Sequence, residues 1–328
     1  MSNFHDLPDE VILKILSYSE IEALISCGQV SKRIRRISQD NSLWVTVNLE
    51  KKTVKTELLE MILGKGCVIL NITDSNITGN FSSNKKSQLR VLNLSQITPF
   101  TPAWAYCAEY IHVLEELLFS CCSLQYLAMD GLWLTPKMAD SICKNGKTLQ
   151  TLDLNECNFH IFSIRKSKYL QEMFECCQEL KDINFNGVEG LCHDDVQVLA
   201  ETIPPNIEEL NLGSLDFVDD HIKVLLSRCK KVKKLSLQSI WITDKTLTNI
   251  KQFLNLTLEE FSFVEWFTTK TGLLQLKSMP RLKRLNFYNR FERDCEEIQK
   301  LKQHLPHLMI RTSYSWESLK RKYSLVTG

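Results

Sequence analysis

A hexad of the form L-x-x-L-x-L, followed by a short amphipathic stretch, recurs along most of this chain and constrains its fold more than any other feature. Its clearest copy runs from Val232 to Phe253. Leu235 and Leu237 alternate, as on one side of a short strand, while Leu247, Ile250 and Phe253 stand three apart, as on one face of a helix. One strand and one helix cannot bury those faces alone, so the unit is stable only when stacked against copies of itself. Ten copies begin at Trp44, Cys67, Leu89, Leu124, Leu149, Leu180, Ile207, Val232, Leu258 and Leu282, at successive spacings of 23, 22, 35, 25, 31, 27, 25, 26 and 24 residues.

Cysteine supplies a second register. Cys121, Cys177 and Cys229 each stand three residues before the next start, and Cys157 lies eight after Leu149. This pattern resembles the cysteine-containing class of leucine-rich repeats, in which Ile242-Thr243-Asp244 is a familiar turn. The fold class predicted is α/β, a leucine-rich-repeat solenoid or horseshoe of about ten strand-helix repeats over residues 44–316. Longer spacings mark two insertions, one with Pro99, Pro102, Trp104 and Tyr106, the other with Phe159, Phe162 and Tyr169.

Residues 7–44 do not follow the repeat. Asp6 can cap a helix with Pro8 in its first turn and Ile12, Ile15 and Leu16 on one face. A second short helix carries Ile21, Leu24 and Ile25, and a third carries Val30, Ile34 and Ile37 among Lys32, Arg33, Arg35 and Arg36. Three such helices are too small to enclose a good core unaided, so a partner is expected to complete it. Leu7-Pro8-Asp9-Glu10, Ile15-Leu16, Leu24, Val30-Ser31-Lys32-Arg33 and Leu43-Trp44 together resemble an F-box. Ile34 stands where that family has Trp, and Ser19 where Leu is common, which weakens the adaptor affinity expected. Trp44 both closes this segment and opens the first repeat, so it is expected to pack into both.

The resemblance implies residues 1–43 as an F-box, 44–316 as repeats and 317–328 as a short C-terminal tail. It implies Leu7, Pro8, Ile12, Ile15, Leu16, Leu24, Val30 and Ile34 as contacts for the adaptor subunit of SCF (cullin-RING) ubiquitin ligases. An F-box leading directly into about ten repeats is similar to the S-phase-kinase-associated branch of the F-box/leucine-rich-repeat family. That likeness implies a substrate receptor in proteasomal degradation, with cullin and RING subunits reached through the adaptor. A phosphorylated cell-cycle regulator as target and a cyclin-dependent-kinase accessory protein as partner follow from the same likeness. The alternative is a non-ligase scaffold that clamps a partner protein.

In each hexad the residues between the leucines face away from the core, because strand side chains alternate with period two. Those expected to hold a substrate on the concave face are Asp130, Asp153, Asn155, Asp182, Asn184, Glu209, Asn211, Lys234, Gln238, Arg284 and Tyr288. Asp130, Asp153, Asp182 and Glu209 make the middle of this face acidic, with Lys234 and Arg284 later, so a basic or bipolar segment is complementary. Trp266, Phe267, Tyr288 and Phe291 gather late in the array, where Arg284 and Arg290 are candidates for a phosphate.

Other chemistry is not signalled. Cys192-His193-Asp194 holds nucleophile, base and orienter types, but consecutive residues do not converge as a triad. With no glycine-rich phosphate loop and no metal-ligand spacing, no catalytic residue, cofactor or metal is expected. A net charge of +1, from 40 basic and 39 acidic residues, implies neither a nucleic acid nor a membrane surface as partner. Twelve cysteines without a C-x-x-C pair, and no apolar run of membrane-spanning length, place the chain inside the cell, in nucleus, cytoplasm or both.

Overall fold

The structure, a computed structural model, is described over residues 6–81, 86–97, 107–159, 166–213, 215–238, 241–264, 267–288 and 296–313. It divides into two compact units, Met1–Met129 and Asp130–Gly328. Pro99, Pro102, Trp104, Tyr106, Phe162, Trp266, Arg290, Phe291 and the tail 317–328 lie outside the described residues.

The first unit opens with three helices, α1 (Asp9–Leu16), α2 (Ile21–Cys27) and α3 (Lys32–Ser38). Pro8 occupies the cap position of α1, where Asp6 was expected, and its carbonyl accepts from the backbone of Val11 and Ile12 at 3.1 Å each. α3 begins after Ser31, whose Oγ accepts from the Ile34 backbone at 3.2 Å, so Val30 precedes the helix. Ile12, Leu16, Ile21, Leu24, Ile34 and Ile37 are buried together. The small core expected to be left open is therefore closed on its inner side.

Trp44 follows at the end of a 3-10 turn, 3% exposed, its Nε1 donating to the Ser38 carbonyl at 2.9 Å. Lys65, from the first repeat, stands with its Nζ 5.5 Å from the indole centroid and donates to the Gln39 carbonyl at 2.8 Å. Lys52 pairs with Glu22 and, at 3.6 Å, with Glu20. Helices and first repeat are thus fastened through the indole and two lysines.

Strands β1 (Thr46–Asn48), β3 (Ile69–Asn71), β5 (Val91–Asn93) and β6 (Tyr126–Ala128) form a parallel sheet, with α4 (Thr56–Gly64) and α5 (Cys107–Ser120) between strands. β2 (Thr53–Lys55) and β4 (Asn76–Thr78) pair separately, a short sheet the hexad pattern does not signal. In the second unit β7 (Thr151–Asp153), β8 (Asp182–Asn184), β9 (Glu209–Asn211), β10 (Lys234–Leu237), β11 (Glu260–Val264), β12 (Arg284–Tyr288) and β13 (Met309–Ser313) run parallel in that order. Helices α6 (Pro136–Lys144), α7 (Lys166–Cys176), α8 (His193–Thr202), α9 (Asp219–Arg228), α10 (Asp244–Leu254), α11 (Lys270–Leu273) and α12 (Glu296–His304) alternate with them. The architecture is a leucine-rich-repeat solenoid of strand-helix units.

Each strand predicted from a hexad begins two residues after the hexad does, as at Val232 and Lys234. β13 is an eleventh strand; its register with β12 puts polar His307 where a hexad would begin, which hid it. In α10 the buried face is Leu247, Ile250 and Leu254, all 0% exposed, whereas Phe253 is only half-buried. At about 100° per residue, position 254 returns to the face of 247 and position 253 turns away from it. The register cysteines act as small apolar groups: Cys121, Cys157, Cys177 and Cys229 are at most 1% exposed. Burial pushes the thiols of Cys121 and Cys229 up to about 11 and that of Cys177 to about 12.

Neighbouring repeats in the second unit also cap each other's helices. The Asp219 carboxylate accepts from the backbone and hydroxyl of Thr243 at 3.0 and 2.7 Å, and from those of Thr246 at 3.1 and 2.6 Å. One repeat later, Asp244 accepts from the backbone and hydroxyl of Thr269 at 2.7 and 2.6 Å. These carboxylates satisfy amides that a helix start leaves without an intrahelical partner.

Candidate docking surfaces

The residues expected at the adaptor surface separate into two groups. Ile12, Leu16, Leu24 and Ile34 are 0, 2, 4 and 2% exposed and hold the helices together. Ile15 and Val30 are 42 and 68% exposed, Pro8 is exposed, and Leu7 is half-buried. Packing thus withdraws four of the eight from direct contact with a partner. Val11, Tyr18 and Ile25 are further outward-facing apolar residues, which the sequence reading did not select for this surface. Val11, Ile15 and Tyr18 recur at intervals of four and three, so they line one face of α1 and its exit.

Opposite charges set the posture of that face. Arg33 donates from Nε to Asp9 at 2.7 Å and from Nη2 to the Leu7 carbonyl at 2.7 Å, and Arg36 also pairs with Asp9. The Arg33 hydrogen bond holds the Asp9 carboxyl below its ordinary value, with both arginine charges adding to the effect. The Leu7-Pro8-Asp9-Glu10 opening is therefore clamped onto α3, which orients α1 without using its apolar side.

On the second unit, the strand face opposite the leucines carries three rows. Thr151, Asp182, Glu209, Lys234, Glu260 and Arg284 form the first in register. Thr151 donates to Asp182 at 3.0 Å, Lys234 pairs with Glu209 at 2.5 Å, and Arg284 pairs with Glu260. Lys234 and Arg284, read from the sequence as a basic end, are thus matched by neighbouring-strand carboxylates. Proximity across about 4.8 Å of sheet makes those partners, so the two basic residues expected at one end of the face are held in ion pairs with carboxylates of the preceding strand.

Asp153, Asn184, Asn211, Ser236, Ser262 and Asn286 make the second row. Asp153, Asn184 and Asn211 each accept from the backbone two residues on, at 3.0, 3.1 and 3.2 Å, closing the strand with an Asx turn. In the first unit Asn48, Asn71 and Asn93 do the same at 3.1, 3.1 and 2.9 Å. These side chains shape the repeat first, and what they offer a ligand is the remaining edge. Asp153 stands apart as the acid in a row of amides and serines; it is 7% exposed, and burial, aided by Asp130, raises its pKa to about 6. Burial likewise raises Asp182, with Glu209 and Glu208 adding repulsion.

The third row runs Asp130, Asn155, Asn186, Gly213 and Gln238. Asn155 donates to Asp130 at 2.7 Å and Asn186 to Asn155 at 2.8 Å. Gly213 leaves room for its neighbours: a Cβ there would overlap the Asn186 carboxamide and stand 3.2 Å from the Gln238 amide carbon. Gln238 is 5% exposed. Tyr288 ends β12, but its side chain lies outside the described set.

Among the described residues, no group of three or more His, Cys, Asp or Glu side chains is arranged to hold a metal ion. Among them also, no helix is long and apolar enough to cross a membrane.

Comparison with known proteins agrees with both parts of this description. Residues 57–321 match the family described as the SKP2 LRR domain, and residues 4–50 match the F-box-like family. Over 46 residues the chain is 39% identical to F-box only protein 15 of Bos taurus, a match covering 14% of this chain and 10% of that protein. Among solved structures, one chain of the Rad7 and Elc1 complex in yeast aligns with a TM-score of 0.43 and 16% identity, over 94% of this chain and 90% of that one. One chain of the TLR13–ssRNA13 complex aligns at 0.38 and 12%, over 84% and 47%. With nine of its ten hexads inside the matched span and an F-box-like segment before it, the chain belongs to the F-box/leucine-rich-repeat family of the SKP2 type.

Proposed function

We propose that this protein is a substrate receptor of an SCF-type (cullin-RING) ubiquitin ligase. Residues 1–43 dock on the adaptor, the repeats of 44–316 hold a target protein, and the chain contributes proximity while catalysis belongs to the recruited enzyme. The observation that supports this most is the outward exposure of Val11, Ile15 and Tyr18 on one side of α1, with Ile25 and Val30 also exposed, while Ile12, Leu16, Leu24 and Ile34 are buried. Such a face gains by being covered, at roughly 1.5–3 kcal/mol for each large side chain fully buried.

The target is a protein segment rich in Lys and Arg. Asp130, Asp153 and Asp182 favour it, since Lys234 and Arg284 are already matched by Glu209 and Glu260. For the same reason Arg284 is poorly placed to receive a phosphate, so a basic segment is favoured over a phosphorylated cell-cycle regulator held with a cyclin-dependent-kinase accessory protein. The receptor acts in nucleus or cytoplasm, where the ligase subunits reside.

Ile15→Asp with Val30→Asp tests the docking half without touching the buried residues. Adaptor and cullin should stop co-purifying, with binding weakened by at least about 100-fold, or roughly 3 kcal/mol. The unfolding transition of the repeats should not move. Unchanged cullin recovery would leave the non-ligase scaffold as the reading. Charge reversal of Asp153 and Asp182 together tests the other half: target capture should fall while adaptor binding persists.

A further inference from the structure

The C-terminal ends of α6 and α7 bring two thiols from neighbouring repeats together. Cys143 is next to last in α6 and Cys176 is the last residue of α7. The Cys176 thiol is a hydrogen-bond neighbour of the Cys143 thiol. Their backbones meet as well: a Cβ added at Gly146 would overlap the Cys176 carbonyl and stand 3.0 Å from the Cys143 carbonyl. Next along the chain, the Cys177 thiol donates to the Ile142 carbonyl at 3.8 Å.

Neither Cys143 nor Cys176 has the packing role that explains Cys121, Cys157, Cys177 and Cys229. Cys121, Cys177 and Cys229 precede their hexads by three residues and are buried, and in the hexad at Leu149 that position belongs to Gly146. Cys143 is half-buried and Cys176 is exposed. One thiol is thus open to solvent and its neighbour is partly shielded, which is the arrangement of an attacking and a resolving cysteine.

We propose that Cys143 and Cys176 form an oxidisable dithiol, a modification site at which a hydroperoxide closes a disulfide between α6 and α7. The Cys176 sulfur attacks one peroxide oxygen, the O–O bond breaks, and the departing hydroxide takes a proton to leave as water. Cys176 is then a sulfenic acid. The Cys143 sulfur displaces its hydroxyl, the S–S bond forms, and the Cys143 proton leaves with that hydroxide as a second water. Two thiols are oxidised and one hydrogen peroxide is reduced to two waters. Cys176, exposed, meets the peroxide first, and Cys143, half-buried beside it, follows as the resolving thiol. Cys177, 0% exposed, is shielded from the oxidant.

The test uses the full chain exposed to one equivalent of hydrogen peroxide, then alkylated, with peptide mapping of the cross-link. Two fewer alkylatable thiols, a mass lower by two hydrogen atoms, a cross-link joining Cys143 to Cys176 and reversal by dithiothreitol are expected. Cys143→Ser, Cys143→Ala and Cys176→Ser should each abolish the cross-link, and Cys177→Ser should keep it. A cross-link that survives Cys176→Ser, an unchanged thiol count, or Cys176 oxidised to a sulfinic acid while Cys143 stays alkylatable would overturn the proposal.

Discussion

Replacing Asp153 by Asn should stabilise the protein, and by an amount that depends on pH. Asn48, Asn71, Asn93, Asn184 and Asn211 hold the equivalent place and accept the same backbone bond through an amide oxygen, so the Asp153→Asn variant can keep the turn that Asp153 makes with the Asn155 amide. What changes is the charge. A carboxyl with a pKa of about 6 when folded and about 3.9 when unfolded lowers stability by roughly 3 kcal/mol once both states are ionised. Below the unfolded value both states are protonated and the penalty vanishes; it grows as pH rises from about 3.9 to 6 and is constant above. Urea unfolding followed by circular dichroism should therefore show a gain approaching roughly 3 kcal/mol at about pH 7.5 and almost none at about pH 4. No gain near neutral pH, or an equal gain at both, would refute the claim that burial of this carboxylate is costly. If Asp153 helps hold a basic target, the stabilised variant should also capture that target less well, as expected where a costly group serves binding.

Three further perturbations follow from the packing. Asp219→Ala removes the acceptor for four bonds and strands the hydroxyl of fully buried Thr246, while its amide keeps the Thr243 carbonyl, so a loss of about 2–4 kcal/mol is expected by chemical denaturation. Because those bonds hold the Asp219 carboxyl below its ordinary value despite burial, its contribution is complete above about pH 4 and fades as pH falls further; wild type should lose this part of its acid sensitivity in the variant. Trp44→Ala should cost about 3–5 kcal/mol in the first unit, read as a lower unfolding midpoint, since it empties a 3%-exposed site and orphans the Ser38 carbonyl. Gly213→Ala should cost about 1–3 kcal/mol by overpacking, because the Asn186 and Gln238 side chains occupy the place of the new methyl. A variant as stable as wild type would show that the amide row yields without cost.

The hexads determined, from local order alone, where ten strands begin and which leucines turn inward. Period two in the strands and recurrence of the whole unit hold wherever a copy stacks on another, so they are readable without coordinates. The F-box-like opening was legible in the same way, through Leu7-Pro8-Asp9-Glu10 and Leu43-Trp44. β13 escaped because its place in the register begins with His307, and the β2–β4 pair because both strands lie outside the hexads that mark the others. The tertiary structure alone decided which apolar residues of α1 and α2 are core and which are surface, putting Ile12 inside and Ile15 outside although both are isoleucines three apart. It also decided that Lys234 and Arg284 meet Glu209 and Glu260 while Asp153 is buried with its charge raised toward neutrality. Those outcomes depend on side chains some 24–31 residues away in sequence but one strand away in space, and no local periodicity carries that distance.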